Sequence, residues 1–204
     1  GVLFQPVVFD ELWWTLALFA LAKIGAESPS EDWRDTSPEW WIVLGAACGL
    51  GLLTKFSLLF FGAALVAALV LAPQRRVLLT QWPWIAAAIA LVLGSPSIVG
   101  QLRLDFPVVG QMHTLESSQL RHVSVLSFVG GQLFIGPAVL LGVAGAAYAL
   151  IATSMRRFRV IGMACAGAFA LLLLLHGKSY YVSPIYPALF SAGAACLVAA
   201  LLVM

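Results

Sequence analysis

The chain has 204 residues, of which 62% are hydrophobic and 10% charged, with a formal net charge of +2. A soluble globular domain is nearer half apolar and a quarter charged, so the composition excludes a soluble fold and places the chain in a membrane. The net charge is too small to point to nucleic acid, and Cys48, Cys165 and Cys196 lie far apart in apolar runs without CxxC spacing, as small membrane-core residues do.

A helix rises about 1.5 Å per residue and must cross about 30 Å of hydrocarbon, so apolar runs of about 20 residues mark spanning helices. The first runs from Leu3 to Ile24, with Asp10 and Glu11 near its start. No initiator Met or charged leader precedes it, so no signal peptide is visible and the chain reads as a fragment of a longer protein. A polar loop, Glu27 to Glu39, follows; Ser28-Pro29 and Ser37-Pro38 break any helix there.

Trp40 to Ala72 is apolar apart from Thr54-Lys55. As one helix it would be about 50 Å long, so two shorter helices folded back at Lys55 are expected. After the basic turn Gln74-Arg75-Arg76, a span runs from Trp82 to about Val99, with Pro83 in its first turn. Gly100 to Ser127 is the long polar segment: Gln101, Arg103, Asp105, Gln111, His113, Glu116, Arg121 and His122 alternate with Phe106, Val108, Val109, Met112 and Leu115. This pattern predicts a short helix lying on the membrane surface. A span from Phe128 to Ala152, bent at Pro137, leads to the basic turn Met155-Arg156-Arg157-Phe158-Arg159, then to a span from Val160 to Leu175. The stretch His176 to Pro187 precedes a final span, Ile185 to Met204.

The expected architecture is therefore all-α: a single transmembrane domain over residues 1–204, with about seven spanning helices and an interfacial helix within 100–127. The positive-inside rule puts the two arginine turns in the cytoplasm. Alternation then puts the Glu27–Glu39 loop on their side and gathers Asp10, Lys55, Gly100–Ser127 and His176–Pro187 on the outer face.

Several of these residues carry chemistry. Asp10 and Glu11 suit a helix start, where a carboxylate gains about 0.3–2 kcal/mol from the dipole, but an ionisable group at membrane depth is also a functional candidate. Lys55 can snorkel to the interface or, facing Asp10, Arg103 and Lys178, hold a phosphate as a point charge. Tyr180, Tyr181 and Tyr186 fit an aromatic belt, and their hydroxyls can also bond a phosphate or sugar. His113, His122 and His176 match no metal-ligand spacing. Gly45, Gly49, Gly51, Gly62, Gly142 and Gly145 suit close helix packing.

In order along the chain stand Leu3-Phe4-Gln5-Pro6-Val7-Val8-Phe9-Asp10-Glu11-Leu12-Trp13-Trp14, Gly49-Leu50-Gly51-Leu52-Leu53-Thr54-Lys55, Phe106-Pro107 with Met112, Gly136-Pro137, and Gly177-Lys178-Ser179-Tyr180-Tyr181 with Pro184-Ile185-Tyr186-Pro187. This series resembles the bacterial branch of glycosyltransferase family 39, the family of dolichyl-phosphate-mannose–protein mannosyltransferases and lipid A aminoarabinose transferases. The resemblance covers nearly the whole chain. It implies a GT-C fold in the bacterial inner membrane, with an active site outside the cytoplasm that moves a sugar from a polyprenyl-phosphate donor to an extracytoplasmic protein, lipid or glycan acceptor.

By the same resemblance Asp10 is a supporting acid and Lys55, Lys178, Tyr180 and Tyr181 lie near the donor phosphate; from their place on the outer face Arg103 and Tyr186 join the candidate donor-phosphate and lipid contacts, and His113, Glu116 and His176 are candidate contacts to sugar or acceptor. No cofactor is firmly implied; a divalent metal is left open. The family's key carboxylate, in a loop after its first helix, has no counterpart here. Inverting transfer needs such a base for the acceptor's proton and cations for the leaving phosphate, so the chain is expected to supply the donor-binding part and to be inactive alone. A transporter or flippase for a lipid-linked or polar solute is the alternative; it would favour charges at mid-membrane and internal repeats, and neither is present in the sequence.

Overall fold

The computed structural model describes residues 6–118 and 123–203. Among them the chain is helical, with no strand. The helices are α1 (Pro6–Glu27), α2 (Pro38–Thr54), α3 (Leu58–Leu71), α4 (Trp82–Arg103), α5 (Pro107–Ser118), α6 (Val125–Gly130), α7 (Ala138–Ile151), α8 (Arg159–Leu174) and α9 (Tyr186–Val203). Short 3-10 segments occupy Pro73–Leu79, Gly131–Ile135, Thr153–Phe158 and Ser179–Ile185.

Helix α1 touches elements from both halves of the chain. Trp14, Ala17, Leu18, Ala20, Leu21 and Ile24 are all buried along one broad face, while Leu12 and Phe19 on the rest of the helix are exposed. α2 packs antiparallel to it, and Trp14 meets Phe61 of α3 with ring centroids 4.9 Å apart. Small residues bring α2 and α4 together: a Cβ on Gly49 would lie 2.6 Å from Leu93 Cβ, and one on Gly45 2.5 Å from the Ala86 carbonyl oxygen. This is the close approach that a Gly-x-x-x-Gly spacing allows in helix pairs within a membrane.

The fold-back at Lys55 forms as the sequence leads one to expect, with Lys55 returning to Asp10 at the start of α1. The number that can cross a membrane is smaller than the expected seven. By length and composition three segments qualify, Trp82–Arg103, Thr153–Leu174 and Ser179–Leu202, and up to five if each of two bent pairs counts as one span. Two different causes lower the count: α1 has 22 residues but carries Asp10, Glu11 and Lys23, whereas α2 has only 17 residues, or about 26 Å.

The bend expected at Pro137 is a full corner. Val125–Ile135 and Ala138–Ile151 meet at 110°. Gly136 there has φ 63° and ψ −147°, a backbone region open essentially to glycine alone, and Pro137 then leads into α7.

The arginine turns and the acidic loop share one end of the bundle, as alternation requires. Gln74, fully buried, donates to the carbonyls of Glu31 (3.0 Å) and Arg156 (2.8 Å), and Trp33 Nε1 donates to the Arg157 carbonyl at 2.9 Å. Within the loop, the Ser30 hydroxyl and the Arg34 guanidinium hold the Asp32 carboxyl below its usual range.

Candidate functional site

The opposite end gathers the unusual polar groups. α2 stops at Thr54, whose hydroxyl turns back to the Leu50 carbonyl at 3.0 Å and receives Trp13 Nε1 at 3.1 Å. Such a back-bond to the carbonyl four residues earlier slightly weakens and bends a helix. Lys55 then adopts an extended backbone (φ −162°, ψ 136°) and α3 begins at Leu58. The short break aims Lys55 and Ser57 at the first turns of α1.

There Lys55 Nζ lies 3.0 Å from Asp10 Oδ2, and Ser57 Oγ lies 2.7 and 2.8 Å from the two carboxylate oxygens, its hydroxyl donating to them. The Asp10 side chain is 2% exposed and that of Lys55 22%. A buried carboxylate survives only when paired and hydrogen-bonded, and both conditions are met. The ammonium also sits over the Tyr181 ring, 4.2 Å from its centroid, a cation–π distance. Having three donors, Lys55 keeps capacity for a further acceptor.

Tyr181 meets Tyr180 edge to face at 4.7 Å, and Lys178 Nζ lies 5.9 Å from the Tyr180 centroid. The sequence Lys55, Tyr181, Tyr180, Lys178 thus forms a row of two cations with two rings between them. Lys178 has no carboxylate partner among the described residues, whereas Lys55 does. Ser183 donates to Glu11 Oε2 at 2.7 Å, a second tie between α1 and the segment Ser179–Ile185.

That segment is also fixed from the other side. Gln132, 4% exposed, donates to the carbonyls of Phe128 (2.9 Å) and Ser179 (3.3 Å) and accepts the Tyr186 hydroxyl at 2.8 Å. A Cβ on Gly131 would come within 2.6 Å of the Ser179 side chain. Below this contact an apolar cavity of about 380 Å³ is lined by Val129, Leu133, Val143, Phe169 and Tyr186, among others.

Of the residues singled out in the sequence, Asp10, Lys55, Lys178, Tyr180 and Tyr181 come together. Tyr186 turns inward to Gln132 and belongs to the support of the site. His176 is exposed, with φ 54°, in the turn before Lys178. Arg103, at the end of α4, and His113, on α5, are exposed and make no described contact with the cluster. Arg121, His122 and the side chain of Glu116 lie outside the described residues. Among the described residues no group of three His, Cys, Asp or Glu side chains could hold a metal ion. Sequence reading missed Ser57 and Gln132. Ser57 could have been found as the hydroxyl in the break beside Lys55; Gln132 carries only the weak signal of an amide inside an apolar run.

Among the described residues, an all-α bundle with three to five helices able to cross a membrane, and with Asp10, Lys55 and Ser57 joined at one end, has the make-up of a multi-pass membrane protein. Residues 2–99 match the family model described as dolichyl-phosphate-mannose-protein mannosyltransferase. The match points to a membrane glycosyltransferase of the GT-C type. It includes Asp10, Lys55 and Ser57 and stops short of Lys178 and the tyrosines. No curated protein and no solved structure matches the chain.

Proposed function

We propose that the chain forms the donor-binding part of a membrane glycosyltransferase that takes a sugar from a polyprenyl-phosphate carrier and delivers it to an extracytoplasmic acceptor. The observation that carries this reading is the row Lys55–Tyr181–Tyr180–Lys178 at one end of an apolar bundle. Leaving-group phosphate needs cations placed before the reaction begins. Lys178, unpaired with any described carboxylate, and the free donor capacity of Lys55 supply them. The tyrosine rings offer apolar faces to a lipid chain and hydroxyls to phosphate or sugar, and the cavity under Gln132 gives an apolar chain room.

Asp10 is a positioning residue in this reading. Its buried carboxylate spends both oxygens on Lys55 and Ser57, so it holds the cation in place and is poorly exposed to an acceptor's hydroxyl. The general base belongs to another group.

The test is transfer of labelled sugar from synthetic polyprenyl-phosphate donors by the full-length protein in membranes. Lys178→Ala and Lys55→Ala should each raise KM for the donor about tenfold, the size of one lost charge-assisted hydrogen bond. Donor kinetics unchanged in both variants would remove the phosphate-binding assignment.

A further inference from the structure

The arginines at the other end of the bundle divide into two groups. Arg159 caps α7, its guanidinium donating to the carbonyls of Leu150 and Ala152. Arg34 is taken by Asp32 at 2.7 Å, and Arg156 pairs with Glu31 at 3.3 Å. Arg75, Arg76 and Arg157 have no carboxylate partner among the described residues.

These three stand on two neighbouring segments. The buried Gln74, through its bonds to Glu31 and Arg156, fastens Pro73–Leu79 against Thr153–Phe158. Pro73–Leu79 turns 102° away from α3, so it lies across the end of the bundle. Gln74 and Val77 face inward, while Arg75, Arg76 and Leu79 face out, Leu79 being 85% exposed. Trp84, 63% exposed, donates to the Leu78 carbonyl at 2.9 Å, which sets an indole beside the same segment. Cations, an exposed leucine and an amphipathic ring on and beside one segment are the chemistry of the headgroup boundary.

We propose that this surface binds an anionic phospholipid, with Arg75, Arg76 and Arg157 holding its phosphate and Leu79 and Trp84 meeting its acyl chains. The exposed apolar groups beside the arginines favour a lipid over free phosphate, and three unpaired cations favour an anionic headgroup over a zwitterionic one. This site is separate from the Asp10–Lys55 cluster and does not depend on the transferase reading.

The experiment is native mass spectrometry of the full-length protein in detergent, titrated with phosphatidylglycerol, phosphatidylcholine or inorganic phosphate. Phosphatidylglycerol should stay bound where phosphatidylcholine does not. Replacing Arg75, Arg76 and Arg157 by Ala should weaken its binding roughly fivefold per arginine, as expected for a cation near an anionic surface. Glu31→Gln should strengthen it, because the change frees Arg156 and removes a carboxylate; this variant guards against reading misfolding as lost binding. Equal retention of both lipids, an unchanged triple variant, or inorganic phosphate binding as tightly as the lipid would each overturn the proposal.

Discussion

Lys55 Nζ stands 3.0 Å from Asp10 Oδ2, joining the break between α2 and α3 to the first turns of α1 across 45 positions of sequence. Removing one member leaves the other charge buried, which for fully buried pairs costs about 3–5 kcal/mol. Lys55 is partly exposed, so a loss of about 2–3 kcal/mol is expected for Asp10→Ala. The double variant Asp10→Ala with Lys55→Met should recover part of it. Unfolding in detergent, run as a double-mutant cycle, measures this; additive effects would show that the pair is not coupled.

Lys178 should behave differently. It has no described ion-pair partner and sits at the outer end of the ring row. Lys178→Ala is expected to change stability by less than about 0.5 kcal/mol, as for most surface substitutions, while still weakening use of a lipid-phosphate donor. A large loss of stability would mean that Lys178 serves the fold instead.

Gln132 joins three elements through three hydrogen bonds. Gln132→Leu leaves the Ser179 carbonyl and the Tyr186 hydroxyl unpartnered, at about 1–3 kcal/mol for each buried group. Tyr186→Phe removes one bond only and should cost about 1 kcal/mol. If Gln132→Leu proved as mild as Tyr186→Phe, the amide would not be what fixes Ser179–Ile185.

The glycines divide sharply by what surrounds them. Gly49→Val forces a side chain into Leu93 and should cost about 1–3 kcal/mol through overpacking. Gly62→Ala meets nothing within 4 Å, and in a helix it should be neutral or stabilising by up to about 1 kcal/mol. Thermal midpoints of the two variants give the comparison; a tolerated Gly49→Val would show that α2 and α4 can separate.

Orientation can be checked directly. Single cysteines at positions 30, 75 and 156 should react with an impermeant thiol reagent from one side of the membrane, and cysteines at 113 and 178 from the other. Labelling of 75 and 156 from opposite sides would break the antiparallel order of the bundle.

Much of this was readable because it rests on local chemistry. Lys55 could be placed at a fold-back because an uninterrupted helix there would be too long for one crossing, and the arginine turns sorted to one end because charge alternates with apolar runs. Pairings across the bundle were less accessible. Nothing near Asp10 in sequence shows that Ser57 holds its oxygens, and nothing near Gln132 shows that it meets Ser179. The spans number up to five, short of about seven, because a carboxylate pair that serves a site also makes α1 less apolar, and because α2 ends early at Thr54. Arg103 and His113 share a polar segment with the site's side of the chain, but neither composition nor order could say that they stand apart from it.

The shortness of α2 has a consequence for how a ligand reaches Lys55. From Pro38 to Thr54 the helix has 17 residues, about 25 Å, against a hydrocarbon thickness of about 30 Å. If its first residues lie level with one membrane boundary, the Lys55 ammonium is sunk a few ångströms beneath the other. On the proposed reading, a phosphate carried on a hydrocarbon chain would then meet Lys55 from the side of the leaflet, with its chain still among the lipids.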